Sequence, residues 1–145
     1  MTKKPTVSLA TKTIHAGIKP AKQGAPFVSG PTFASAFHLS GEVDNDHHQY
    51  ARFHNPTWDS LEEALGQLEG GDALVFPSGM AAGAAVMTSL VEAGDVLLLQ
   101  SDGYYATRAY AESFLKKFGV IIKAVPTNEL LLQDFTGIKL VFIET

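Results

Sequence analysis

A chain of 145 residues with 46% hydrophobic composition is long enough to bury one real core and too short to make two ordinary domains the first expectation. Its formal charge of −4, with eleven basic residues scattered from Lys3 to Lys139, offers no basic face to a nucleic-acid backbone or an anionic membrane surface. The absence of cysteine excludes disulfides, thiolate metal sites and a cysteine nucleophile, and a cytoplasmic setting fits best.

The opening Met1-Thr2-Lys3-Lys4-Pro5 is basic, but polar Thr6, Ser8, Thr11 and Lys12 follow where a signal peptide would be apolar. From Met1 to about Asn55 neither helical nor alternating periodicity is evident, while Pro, Gly, Ser and Thr are frequent. Residues 1–56 therefore read as an extended arm lying across another domain or subunit, because long structureless segments are uncommon inside compact domains. Simple disorder is the alternative; against it stand Phe27, Phe33, Phe37, Tyr50 and Phe53, since disordered tails are poor in aromatics.

Residues 57–145 are regular. Thr57 is a candidate N-cap, Asp59 falls in the first turn, and Trp58, Leu61, Leu65 and Leu68 follow at helical spacing until Gly70-Gly71 stops the helix. Ala73 to Phe76 reads as a short apolar strand ended by Pro77, and Gly79 to about Val91 as a helix closed by Gly94. That helix is interrupted by Gly83, Thr88 and Ser89 and falls short of the ~20 residues of a membrane span, so the sequence reads as soluble. A strand Val96–Leu99, a helix from about Tyr105 to Phe118 ended by Gly119, a strand Val120–Val125, a short helical stretch near Glu129–Gln133 and a strand Leu140–Ile143 complete the chain. Alternating helices and continuously apolar strands predict an α/β fold, a mainly parallel sheet with helices on both faces and function at the carboxyl ends of its strands.

Three segments carry chemistry. In Ala73-Leu74-Val75-Phe76-Pro77-Ser78-Gly79-Met80 the chain enters a helix through a tight turn, where free N–H groups and the positive helix end make an anion site; Ser78 can add a donor or serve only as an N-cap. Neither Gly-Lys-Ser/Thr nor Gly-x-Gly-x-x-Gly is present, so a nucleotide is the weaker proposal. Tyr104, after the Val96–Leu99 strand, offers a flat face and a phenol to a planar ring, or packs at a strand end. Arg52 and Tyr50 are phosphate donors in kind, although a lone loop arginine is usually a solvated one. His47-His48 beside Asp44 and Asp46 has the residue types of a metal cluster, but adjacent histidines diverge in extended chain and a solvated loop is the simpler reading.

Taken in order, Thr13-Ile14-His15-Ala16-Gly17, Tyr50-x-Arg52 with Asn55-Pro56-Thr57, Leu68-Glu69-Gly70-Gly71, Ser78-Gly79-Met80-Ala81-Ala82 and Tyr104-x-x-Thr107 resemble the Cys/Met-metabolism family of pyridoxal-phosphate enzymes, along essentially the whole chain. The resemblance implies part of a fold-type I large domain and pyridoxal 5'-phosphate as cofactor. It implies that backbone N–H groups of Gly79 and Met80 hold the phosphate, that Ser78 shapes the turn, and that Tyr104 stacks on the pyridine ring in a catalytic role. It also implies that Tyr50 and Arg52 reach the phosphate of a neighbouring subunit in a homo-oligomer, a dimer or tetramer with shared sites, acting on a small amino-acid substrate. Tyr105-Ala106 stand where the family often has Gly-Gly or Gly-Cys; Ala106 thereby disfavours a methionine γ-lyase, and His54 stands where glycine is frequent.

The resemblance further implies a lysine that binds the cofactor covalently and an aspartate at the pyridine nitrogen, both farther along the family's chain. None of the nine lysines here has a motif to match: Lys3, Lys4, Lys12, Lys19 and Lys22 lie in the arm, Lys116-Lys117 at a helix end, and Lys123 and Lys139 in strands. The expectation is therefore an amino-terminal part of a larger cystathionine γ-lyase-like enzyme, inactive without its missing carboxyl-terminal segment. A cystathionine γ-synthase, or a non-catalytic remnant binding a homologue or phosphate ligand, is the alternative.

Overall fold

The computed structural model describes residues 7–20, 22–39, 41–42 and 48–145. They fall into two compact units that divide between Val75 and Phe76.

In the first unit, α1 spans Leu9–His15 and α2 spans Pro56–Glu69. A helix inside the expected arm corrects the sequence reading. Seven residues with none buried are too few for periodicity, and the local signal is Ser8, whose Oγ accepts the Thr11 N–H at 3.2 Å. Gly17 turns the chain back at φ 72°, with room for no more than a hydrogen: a Cβ there would stand 2.7 Å from the Ser60 carbonyl oxygen and 3.0 Å from Ala64 Cβ on α2.

The N-cap of α2 is Asn55, not Thr57. Asn55 Oδ1 accepts the Thr57 N–H at 2.9 Å, Pro56 takes the first helical position, and Gly70 ends the helix at φ 76°. Thr57 is used elsewhere, its Oγ1 accepting the Thr32 N–H at 2.8 Å. Asn55, almost wholly buried, donates through Nδ2 to the carbonyls of Thr32 at 3.1 Å and Ala34 at 3.5 Å. Residues 32–34 are thus tied to the start of α2, and an antiparallel bridge joins Ala36 to Tyr50. Ala73–Phe76, expected as a strand, forms no strand and has no ladder partner among the described residues; the Val75 N–H goes instead to Glu62 Oε1 at 2.8 Å.

In the second unit, α3 is Gly79–Leu90, β1 Val96–Gln100, α4 Tyr105–Ser113, β2 Ile121–Val125 and β3 Ile138–Phe142. The expected helix to Phe118 is instead α4 followed by a 3-10 turn, Leu115–Phe118, closed by Gly119 at φ 86°. The short helical stretch expected near Glu129 is a 3-10 segment, Thr127–Leu132.

The three strands are parallel in the order β2-β1-β3. Because β1 is central, the connections from β1 to β2 and from β2 to β3 run in opposite directions, and right-handed crossovers then place them on opposite faces. The core agrees. Leu97 and Leu99 pack with Met87, Val91, Ala111, Leu115 and Val120 from the α3/α4 side. Leu98, pointing the other way, packs with Val125, Leu130 and Ile138 beside the 3-10 segment. Each fully buried leucine contributes about 1.5–3 kcal/mol. Gly83 lets α3 settle on β3, since a Cβ there would already lie 3.3 Å from the Phe142 ring. No helix among the described residues is long and apolar enough to cross a membrane.

Candidate functional site

Ser78 precedes α3 in extended conformation, and its Oγ accepts the Ala81 N–H at 3.1 Å, so the hydroxyl caps the helix. The Ala82 N–H bonds back to the Ser78 carbonyl at 3.1 Å, which begins the helical ladder. Helix geometry leaves the N–H groups of Gly79 and Met80 ahead of that ladder without intrahelical acceptors, at the positive end of a twelve-residue helix. Nothing lies within 4 Å of where a Gly79 Cβ would project. The turn therefore has two N–H groups outside the helical ladder and open space beside Gly79.

Tyr104 opens α4 without a side-chain capping bond and is 60% exposed. One turn into α4, Thr107 is buried, and its hydroxyl donates to Glu144 Oε1 at 3.0 Å while lying 3.7 Å from Met80 Sδ. This contact sets the beginnings of α3 and α4 side by side. Ser78, Gly79, Met80 and Tyr104 thus gather at the edge where β1 and β3 end.

Around this edge runs a polar relay that sequence reasoning missed. Glu144 donates its N–H to Gln100 Oε1 at 2.7 Å, and Gln100 Nε2 donates to Thr127 Oγ1 at 2.8 Å. Thr127 in turn gives its hydroxyl, at 2.7 Å, and its N–H, at 3.0 Å, to Asp102 Oδ1. The Thr127 hydroxyl, first among the causes, holds the Asp102 carboxyl below its ordinary range. The available signal was Gln100 itself, a primary amide closing an otherwise apolar strand.

Tyr50 and Arg52 belong to the first unit. The Arg52 guanidinium carbon lies 5.4 Å from the centre of the Tyr50 ring, a cation–π contact that leaves the guanidinium exposed. Of the residues considered as a metal cluster, Asp44, Asp46 and His47 lie outside the described residues. His48 Nε2 sits 2.7 Å from Asp59 Oδ2, and no metal-binding group of three is found among the described residues.

By its fold this is an α/β protein with a parallel sheet and a ligand-type edge at the carboxyl ends of its strands. Residues 10–145 match the model of the Cys/Met metabolism PLP-dependent enzymes, and the chain belongs to that family. It is 38% identical over 141 residues to a putative cystathionine gamma-lyase of Streptomyces coelicolor, covering 93% of this chain and 36% of that protein. It is 32% identical over 141 residues to human cystathionine gamma-lyase, covering 94% of this chain and 35% of the relative. It is also 37% identical over 125 residues to a cystathionine beta-lyase of Lactococcus lactis, at 85% and 32% coverage. Among solved structures, metB from Corynebacterium glutamicum superposes with a TM-score of 0.81 at 25% identity, over 95% of this chain and 37% of that one. Cystathionine gamma-lyase from Lactobacillus plantarum, complexed with L-serine, gives 0.80 at 29% identity, over 96% and 37%. The chain thus spans about a third of the length of the curated relatives it matches, and its fold is part of the fold-type I large domain.

The edge fits the cofactor that the family name carries. A pyridoxal phosphate asks for donors to a phosphate and a flat face for a ring, and the two N–H groups outside the helical ladder, with open space beside Gly79, and the exposed Tyr104 are of those kinds.

Proposed function

We propose that this chain supplies the phosphate-holding and ring-stacking part of a PLP-dependent carbon–sulfur lyase that acts on a cystathionine-type thioether by γ-elimination. The observation that supports this is the Met80–Thr107 contact, which joins the turn before α3 to the first turn of α4 that Tyr104 precedes. The lyase names of the curated relatives support elimination, and two of the three described above are γ-lyases.

When bound, the cofactor supplies an electron sink at the substrate's α-carbon. In this reading the Gly79 and Met80 N–H groups anchor the phosphate, the Ser78 cap keeps that helix end open, and the Tyr104 ring fixes the plane of the pyridine. Tyr50 and Arg52 serve the phosphate of a neighbouring subunit, so the working enzyme is a cytoplasmic homo-oligomer with shared sites. Residues 57–145 act as the cofactor-binding domain and residues 1–56 as the arm to the neighbour. The covalent lysine lies outside this sequence, and the 145 residues alone turn nothing over.

The test is to express the reading frame with whatever follows Thr145 and to compare it with the 145-residue chain. Supplied with pyridoxal phosphate, the longer product should release cysteine from cystathionine, while the shorter chain should bind the cofactor weakly and reversibly. Formation of cystathionine from O-succinylhomoserine and cysteine, without thioether cleavage, would replace the lyase reading by a synthase.

A further inference from the structure

β1 reads Val-Leu-Leu-Leu-Gln, and its last residue is 7% exposed. A buried primary amide is costly unless both ends are bonded. Both are: Oε1 takes the Glu144 N–H, and Nε2 donates to the Thr127 hydroxyl, which in turn donates a hydrogen bond to Asp102. Gly103 closes down on the same side chain, where a Cβ would stand 3.2 Å from Gln100 Cβ and 3.5 Å from its Oε1. Of the two residues before Tyr104, Asp102 is thus bonded to the threonine that Gln100 orients, and Gly103 lies close against the Gln100 side chain. Tyr104 itself is exposed and makes no side-chain capping bond, so the aim of its ring is inherited from that loop.

We infer that Gln100 is a positioning residue for Tyr104, holding the loop 101–104 so that the ring meets a planar ligand in a set orientation. This rests on the reading of the α3 turn and Tyr104 as a pyridoxal-phosphate site, and the measurements below separate the two.

Two substitutions in the 145-residue chain test it. Gln100→Leu keeps the bulk and removes both hydrogen-bonding ends; Gln100→Glu keeps the shape and loses the donor while ionised. Backbone order parameters of Gly103 and Tyr104 should fall from about 0.85 to below about 0.6 in Gln100→Leu, with Leu97–Leu99 unchanged. Affinity for pyridoxal 5'-phosphate should drop about two- to tenfold, the range of one aromatic contact, while affinity for inorganic phosphate stays the same. In a Tyr104→Leu background Gln100→Leu should cost no further affinity. Gln100→Glu should match Gln100→Leu at neutral pH and recover relative to the unsubstituted chain on acidification; it also carries the test if Gln100→Leu does not fold. Unchanged order parameters in both variants would overturn the proposal, as would equal losses for the two ligands or additivity with Tyr104→Leu. If the unsubstituted chain binds neither ligand, the cofactor reading fails, and the order parameters alone decide whether Gln100 holds the loop.

Discussion

Replacing Gly79 by alanine separates what the α3 turn does for the fold from what it does for a ligand. Gly79 is not among the glycines with positive φ, and its missing Cβ would meet nothing within 4 Å, so neither backbone strain nor packing calls for glycine there. Inside a helix the change from glycine to alanine is worth about 0.5–1 kcal/mol. At the first helical position only part of that applies, so a gain of about 0.5 kcal/mol, or roughly 2–4 °C in melting temperature for a unit of this size, is expected. A phosphate seated on the N–H groups, however, would need the space the methyl fills. Losing one charge-assisted bond of about 1.5–3 kcal/mol weakens binding by about ten- to a hundredfold. Thermal unfolding and calorimetric titration with pyridoxal 5'-phosphate should thus move in opposite directions. A lowered melting temperature would show that the space is already used by the protein, and an unchanged affinity that no anion comes there; either refutes the reasoning.

Thr107→Val keeps the buried shape and removes the donor to Glu144; because Glu144 is exposed and regains water, the loss should be about 1 kcal/mol by chemical denaturation, and Thr107→Ser should restore most of it. Asn55→Ala removes the α2 cap and two bonds to the Thr32 and Ala34 carbonyls, and should cost about 2 kcal/mol, seen as increased amide exchange at Thr57 and over residues 32–36. Asp102 has its folded pKa depressed below the ordinary 3.8, so its contribution is present above that value and disappears as pH falls through the lower folded one. Melting temperature should therefore drop on acidification below about pH 4, and Asp102→Asn should flatten that part of the profile. Leu98→Ala, at a fully buried position, should cost about 2–5 kcal/mol in urea unfolding.

The alternation of elements after Asn55 was legible because each apolar run meets its own full stop: Gly70, Gly94 and Gly119 all take positive φ. The parallel sheet followed from strands too apolar to face water on either side, and Leu97, Leu98 and Leu99 are indeed covered on both faces. What escaped was decided by partners distant in sequence. Asn55 outcompetes Thr57 as the cap because the Thr57 hydroxyl is taken by Thr32, and 73–76 stays out of the sheet while Glu62 takes the Val75 N–H. Of the two roles open for Ser78, the cap is the one seen, its oxygen accepting the Ala81 N–H, while its own O–H remains able to donate. The relay from Glu144 through Gln100 and Thr127 to Asp102 joins three separate stretches of chain, which no local pattern records.

The strand order β2-β1-β3 also has a consequence for biosynthesis. The middle strand is made first, and its three leucines are synthesised before either flanking strand. At about 5–20 residues per second, β3 follows β1 by about two to eight seconds. During that interval one edge of the most apolar segment can pair only with β2, and its other edge with nothing of its own. Nascent chains in this window are open to association with one another and to chaperone capture, and faster translation between Gln100 and Ile138 would shorten the exposure.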